Sequence, residues 1–443
     1  MLPLLLLLAS LQPAEAESGY RVGIGRQIIT PTEPLWMSGY ASRNKPCDTK
    51  HHDLWVKAIA LEDPKGNKAV LLTSDLCGIP RSLSEEVCRE VMKQSGLKRE
   101  QIILSCSHTH SGPVVLDNLN DMYEMPADQQ AKIQAYTERL KKQMIEIMVI
   151  AVKTLKPAKV SLGEGTARFA VNRREATKKG IINGNNPQGP VDHSVPVLKV
   201  TDEKGKVQAI LFGYACHNTT MAFYEWCGDY AGFAQIELEK KYPDATALFW
   251  TGCGADANPL PRGKIELCEK YGKELAIAVS EVVEGKTQSL TSPLTAKYAE
   301  IALAFDQIPE KEAWKADLKS TSFAQRKRAE KNLMLLAQNK PIPKRYSQYP
   351  IQVWRFGDQL TWVALGGEVV IDYNLRLKKE LSAKGFTWIA GYANDVMAYI
   401  PSERVLKEGG YEADSSQIYY GMPTKWAPGL EEAIVQKALE LAK

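Results

Sequence analysis

The chain has 443 residues, of which 44% are hydrophobic and 24% charged, the balance of an ordinary globular protein rather than a disordered or fibrous one. Its formal charge of +4 is small, and no block of like charge stands out, which argues against nucleic acid as a partner. A chain this long can bury a large core, and length alone would permit two or three domains.

The N-terminus suggests a compartment. Residues 2–11 form an apolar run too short for a bilayer, where about 20 residues are needed. Pro13 follows, then the small-x-small triplet Ala14-Glu15-Ala16, the pattern a signal peptidase cuts. Residues 1–16 are therefore expected to be a signal peptide, and the mature chain, from about Glu17, to be exported; a single N-terminal anchor is the alternative, against which the shortness of the run counts. No later segment is apolar enough for a membrane helix. The eight cysteines lack C-x-x-C metal spacing and read as buried thiols or structural bridges, with a pairing the sequence does not reveal.

Strand-like and helix-like runs alternate along the chain. Residues 54–61 and 68–75 read as strands, 83–94 as a helix, and 101–106 as a third apolar strand that stops at a polar turn. A long amphipathic helix is predicted over 128–155, where Ile133, Tyr136, Leu140, Met144 and Ile147 recur at three and four residues. Strands over 195–200 and 207–215 flank the turn Asp202-Glu203-Lys204-Gly205. A helix over 231–241, a strand over 246–250 and a helix over 263–283 come next. Residues 309–338, rich in Lys, Arg and Glu and followed by Pro341 and Pro343, read as one solvated helix over the body of the domain. A hairpin around Gly357-Asp358 is predicted from 349–356 and 360–365, then a helix over 371–383 and a strand over 386–390. There is no internal repeat and no low-complexity linker. Suggestive residues come from both halves, so the expectation is one large α/β domain of mixed β-sheets flanked by helices, with a metal site at strand ends.

Only six histidines occur, which makes the cluster Ser107-His108-Thr109-His110-Ser111-Gly112-Pro113 informative. It lies where the strand over 101–106 runs out. Residues i and i+2 of a strand share a face, so both imidazoles would point at one site, and His-x-His at a strand end is a frequent zinc-holding arrangement. Two core or surface histidines are the alternative. His217, in Ala215-Cys216-His217-Asn218, also sits where an apolar strand turns polar. Alone it would read as structural, but two such clusters are better explained by one site at a sheet edge. Glu368 follows a strand and Gly366-Gly367, well placed to reach a metal without obstruction. Its alternative is a first-turn carboxylate favoured by the helix dipole.

A family resemblance gathers these pieces. SHTHSGP, Gly23-Ile24-Gly25-Arg26, Ser38-Gly39-Tyr40-Ala41, His52-Asp53-Leu54 and Thr73-Ser74-Asp75-Leu76 resemble the neutral, non-lysosomal ceramidases. So do Val171-Asn172-Arg173, Gly228-Asp229-Tyr230-Ala231-Gly232, Gly367-Glu368 and Gly410-Tyr411-Glu412-Ala413, in order over nearly the whole mature chain. The resemblance implies one zinc ion per chain, held by His108, His217, Glu368 and Tyr399. It makes His110 a proton-transfer group rather than a ligand, where spacing alone would have made both histidines ligands. It further implies that zinc-activated water cleaves the amide of a ceramide-like N-acyl lipid. Tyr411 would stabilise the charge that develops on the carbonyl oxygen, and Arg173 would hold a polar group of the substrate, unless it forms a surface salt bridge. Peripheral contact with membranes or micelles would follow from such a substrate.

Two departures stand out. The family has an active-site serine in a Gly-Asp-x-Ser-Pro-Asn motif, and aligning Asp256 and Pro259 puts Asn258 in its place in the expected substrate loop. An amide side chain is no nucleophile, so a serine mechanism is excluded there, whereas metal chemistry does not need it. The family also carries a further C-terminal β-sandwich, so the resemblance is to its catalytic domain only. Competing readings are a zinc hydrolase of another amide or ester and a non-catalytic zinc- or lipid-binding relative. The presence of His110 and Tyr411, unnecessary for holding a metal, favours an enzyme.

Overall fold

The structure, a computed structural model, describes residues 19–381 and 385–443. The expected signal peptide over 1–16, and the last residues of the helix expected over 371–383, lie outside the described residues.

The main sheet grows outward from Tyr20–Ile28. On one side this strand pairs antiparallel with Trp55–Glu62, then come Lys68–Ser74 and Ile102–Cys106. On the other lie Lys156–Thr166, Ser194–Thr201, Val207–Tyr214 and finally Thr246–Thr251. The two outermost pairs are parallel, and each is joined by a crossover helix, Arg81–Ser95 or Asp229–Lys241. The edges of this sheet come together, since Thr251 Oγ1 donates to the Cys106 carbonyl at 2.9 Å. Residues 390–394 fill the remaining gap: Gly391 N donates to Thr251 O at 3.1 Å and Asn394 N to Leu104 O at 2.7 Å. Edge-strand backbone groups that would otherwise need water are thereby paired.

The long helix, Ala127–Lys153, covers one face and buries Ile133, Tyr136, Leu140, Met144 and Ile147, as their spacing predicts. A second sheet of Leu294–Ala304, Arg345–Phe356, Leu360–Leu365 and Phe386–Ala390 contains the expected hairpin. It packs against the main sheet through Trp250, Trp354, Trp362 and Trp388, with the Trp250 and Trp362 rings 5.3 Å apart. Two small sheets complete the frame: Ala257–Pro259 with Ala170–Thr177 and Gly180–Asn186, and Glu368–Val369 with Tyr399–Ile400. The chain is thus a mixed α/β domain of several sheets flanked by helices.

Some expectations change. The single helix expected over 309–338 is two, Lys311–Asp317 and Phe323–Ala337. Ser320, Thr321 and Ser322 interrupt it, because short hydroxyl side chains compete for the helical backbone and favour caps; Ser322 Oγ accepts from Gln325 N at 3.4 Å. Nor is this region simply solvated. Trp314 and Ala329 are buried with Ile342, and Phe323–Ala337 packs on Asn120–Met122 and Ser415–Tyr420. All eight cysteines are buried and unpaired. Among the described residues no helix is long and apolar enough to cross a membrane.

Candidate metal centre

The histidine loop begins where Ile102–Cys106 ends, and His108 has a φ of 59°. A non-glycine residue in this left-handed region is strained and over-determined by its surroundings. Neither histidine is in a strand, so their shared direction does not come from the i, i+2 alternation expected of one. The imidazoles converge instead because the backbone turns at His108, which brings the two Nε2 atoms to 3.0 Å. Thr109 bridges to Asn218, and His110 N donates to Asn218 O at 3.2 Å, so this loop lies beside the one bearing His217. The His108 and His217 rings are 4.8 Å apart.

The later part of the chain supplies oxygen. Glu368 and Tyr399 are register partners in the two-residue parallel ladder Glu368–Val369 with Tyr399–Ile400. Gly367 makes the approach possible: its φ is 76°, and a Cβ there would stand 2.5 Å from Ile400 Cγ1. Glu368 Oε2 lies 3.1 Å from His108 Nε2 and 3.2 Å from His217 Nε2, and the Tyr399 hydroxyl is 3.3 Å from His217 Nε2. All four residues are at most 3% exposed. The expected ligands therefore lie together around one point.

His108 Nδ1 donates to the Cys77 carbonyl at 2.6 Å and His217 Nδ1 to the Gly254 carbonyl at 2.9 Å, which turns both Nε2 atoms inward. Glu368 Oε1 accepts from the Tyr420 phenol, but Oε2 is buried with no donor. A buried carboxylate oxygen against two imidazole nitrogens requires a positive charge. That charge can be a cation held between them or a proton on His108. Burial pulls His108 down, but Glu368 more than reverses this and raises it to about 10. Burial, then Arg173, bring His217 down to about 4. Burial opposes ionisation of Glu368, yet the two imidazoles hold it well below the usual carboxylate range. His108, His217 and Glu368 offer ligand atoms within 4.8 Å of one another, and two imidazoles with two oxygen donors suit zinc. Cys77, His108 and His110 form a second such triad. It fits less well, because the His108 nitrogen nearest the Cys77 thiol, at 3.8 Å, is already committed to the Cys77 carbonyl.

His110 is 9% exposed, more open than His108, His217, Glu368 and Tyr399, and its Nδ1 has no partner. Burial, then His108 and His217, push it well below the ordinary imidazole value, so it is neutral. Tyr40 packs edge-on at 4.7 Å, Arg43 Nη2 donates to the His110 carbonyl at 2.7 Å, and a Cβ on Gly39 would lie 2.4 Å from His110 Cγ. Arg173 is a buried hub rather than a surface salt bridge. Its Nε donates to Glu412 Oε1 at 2.8 Å, Nη1 to Asn258 Oδ1 at 3.3 Å, and Nη2 to the Tyr399 hydroxyl at 3.1 Å. Tyr411 is half-buried, its ring 5.3 Å from that of Tyr399. Asp256 and Asn258 flank no open loop; Asn258 is in a buried strand, and Asp256 accepts from Ile371 N at 2.8 Å and Asn172 Nδ2 at 3.1 Å. Sequence reasoning missed Tyr420 and the Cys77 and Gly254 carbonyls. Tyr420 follows the Tyr411-Glu412-Ala413 segment closely, but nothing in its spacing points at Glu368.

Residues 20–288 match the family described as neutral/alkaline non-lysosomal ceramidase, N-terminal. Neutral ceramidase A of Dictyostelium discoideum is 25% identical over 250 residues, covering 53% of this chain and 34% of that protein. The neutral ceramidase of Drosophila melanogaster is 23% identical over 238 residues, covering 50% of this chain and 32% of that protein. The match thus spans about a third of the length of these curated relatives. The solved structure of neutral ceramidase from Pseudomonas aeruginosa has the same fold, with a TM-score of 0.73 over 96% of this chain and 74% of that one, at 19% identity.

Proposed function

The chain belongs to the neutral/alkaline non-lysosomal ceramidase family, and from that premise we propose that it is a zinc-dependent hydrolase cleaving the amide bond of a ceramide-like N-acyl lipid. The observation that carries the proposal is Glu368 Oε2, buried without a donor between two inward-facing imidazole nitrogens. His108, His217, Glu368 and Tyr399 would hold the ion. Zinc bound there would supply a Lewis acid for the amide carbonyl and lower the pKa of water.

The remaining chemistry belongs to the chain. Neutral His110, whose Nε2 faces the centre 3.0 Å from His108 Nε2, would take a proton from the attacking water and pass it to the leaving amine. Tyr411 would donate to the carbonyl oxygen as charge develops on it. Arg173 would steady the Tyr399 hydroxyl, and Asn258 would hold Arg173 rather than attack the substrate. The apolar run over 2–11 and the Ala14-Glu15-Ala16 triplet support export before the protein meets its lipid.

The test combines metal analysis with a panel of N-acyl amines that includes ceramides. Purified protein should hold about one zinc per chain. A chelator should stop fatty-acid release, and added zinc should restore it. Undiminished hydrolysis in zinc-free protein would refute the metal's role, and a zinc-loaded protein inert across the panel would refute the activity.

A further inference from the structure

Beyond the four ligand residues, Tyr420 has a direct hold on the centre, through the hydrogen bond its phenol donates to Glu368 Oε1. We infer that Tyr420 is the positioning residue of the metal centre, fixing the Glu368 carboxylate so that a single oxygen faces the ion. This rests on the zinc reading above.

The two carboxylate oxygens of Glu368 have different surroundings. Oε1 is taken by the phenol, whereas Oε2 has no donor and lies 3.1 and 3.2 Å from the two imidazoles. A carboxylate free to turn can offer both oxygens, and the second would occupy a position that a catalytic site keeps open. Hydrogen bonding and ligation draw on the same lone pairs, so a phenol on Oε1 disfavours that arrangement. A phenylalanine ring would fill the space without this control.

The fold holds Tyr420 from two sides. It closes the short 3₁₀ turn Ser415–Tyr420, within which Gln417 Nε2 donates to the Tyr399 carbonyl at 3.2 Å. Just downstream, Trp426 Nε1 donates to the same carbonyl at 2.7 Å. The segment bearing the phenol is thus pinned to the backbone of a second ligand. On the outer side, Gly421 lies against Asp121, where a Cβ would be 2.5 Å from Oδ2, and Asp121 pairs with Lys331 of Phe323–Ala337. The Tyr420 ring is 6.4 Å from that of Tyr399, so phenol, carboxylate and ligand tyrosine form one packed group.

The test is Tyr420→Phe in the full chain, which keeps the ring and deletes the hydroxyl. Competition with a chromophoric chelator should show zinc affinity falling about 10–100-fold, the usual effect of losing a partner that orients a ligand. The zinc-free protein loses the same buried hydrogen bond, so its melting temperature should fall modestly, and zinc affinity carries the test. Visible absorption of the cobalt(II)-substituted protein reads ligand geometry directly, and its bands should shift in Tyr420→Phe but not in the neighbouring Tyr419→Phe. Unchanged zinc affinity and cobalt bands would overturn the inference and leave the zinc reading intact. So would a zinc-free protein that melts earlier while binding zinc as before. A wild-type chain that binds no zinc would overturn both.

Discussion

The imidazole side and the oxygen side of the centre are secured by different kinds of partner. His108 and His217, both within the family match over 20–288, are oriented by main-chain carbonyls, those of Cys77 and Gly254. Glu368 and Tyr399, beyond that match, are oriented by side chains, the Tyr420 phenol and the Arg173 guanidinium. A carbonyl belongs to the backbone and survives any single side-chain substitution, whereas a phenol or guanidinium can be deleted. The imidazole side should therefore be insensitive to changes around it, and the oxygen side adjustable.

The strongest way to break this comparison is to remove one ligand from each side. His108→Ala and Glu368→Ala should each empty the site and reduce N-acyl hydrolysis to the level of the chelated protein. Full zinc occupancy in either, by metal analysis, would take that residue out of the ligand set. Next, His110→Ala should keep its zinc and lose turnover on the order of 10²–10⁴-fold. Loss of the metal as well would make His110 a ligand and give the imidazole side three.

Asp256 tests the seam between the two sides, since it accepts from Ile371 of the later part and Asn172 of the earlier one. Burial raises its carboxyl to about 6, above the roughly 3.9 of an unfolded chain. The folded state then binds the proton more tightly. Its stabilising contribution is fully present below about pH 4 and is lost as the pH rises through 6. Asp256→Asn should flatten that slope, by on the order of 2–3 kcal/mol between pH 4 and 6 in denaturant titrations. An unaltered slope would place the titrating group elsewhere. The smallest effect is expected for Cys77→Ala, which keeps the carbonyl that orients His108 and should leave zinc affinity unchanged by chelator competition. A fall would make the Cys77 thiol a ligand and favour the second triad.

Legibility in the sequence divides along the same line. His108 and His217 are conspicuous because histidine is rare and both follow apolar strands, and the spacing of the long helix foretells its buried face. Glu368 and Tyr399 are far less visible, because a two-residue ladder has no periodicity to read. Tyr399 enters only through family resemblance. Tyr420 leaves no local trace, since its phenol meets Glu368, 52 positions away, only once the chain has folded. Strands such as Lys156–Thr166 and Leu294–Ala304 escape notice because they are largely solvent-facing and their alternation is broken. The split of the helix expected over 309–338 turns on three small polar residues whose capping role competes with a strong charged-helix pattern.

The closure of the main sheet by residues 390–394 bears on how the protein could be dissected. Ile102–Cys106 and Thr246–Thr251 are the outer strands of the part that matches the family, and the backbone that covers them comes from beyond residue 288. A fragment ending at that boundary would keep both histidines but leave two strands with bare hydrogen-bonding edges. Such edges invite pairing with other chains. Insolubility of that fragment would then reflect unpaired edges and not a missing ion, and adding zinc would not rescue it.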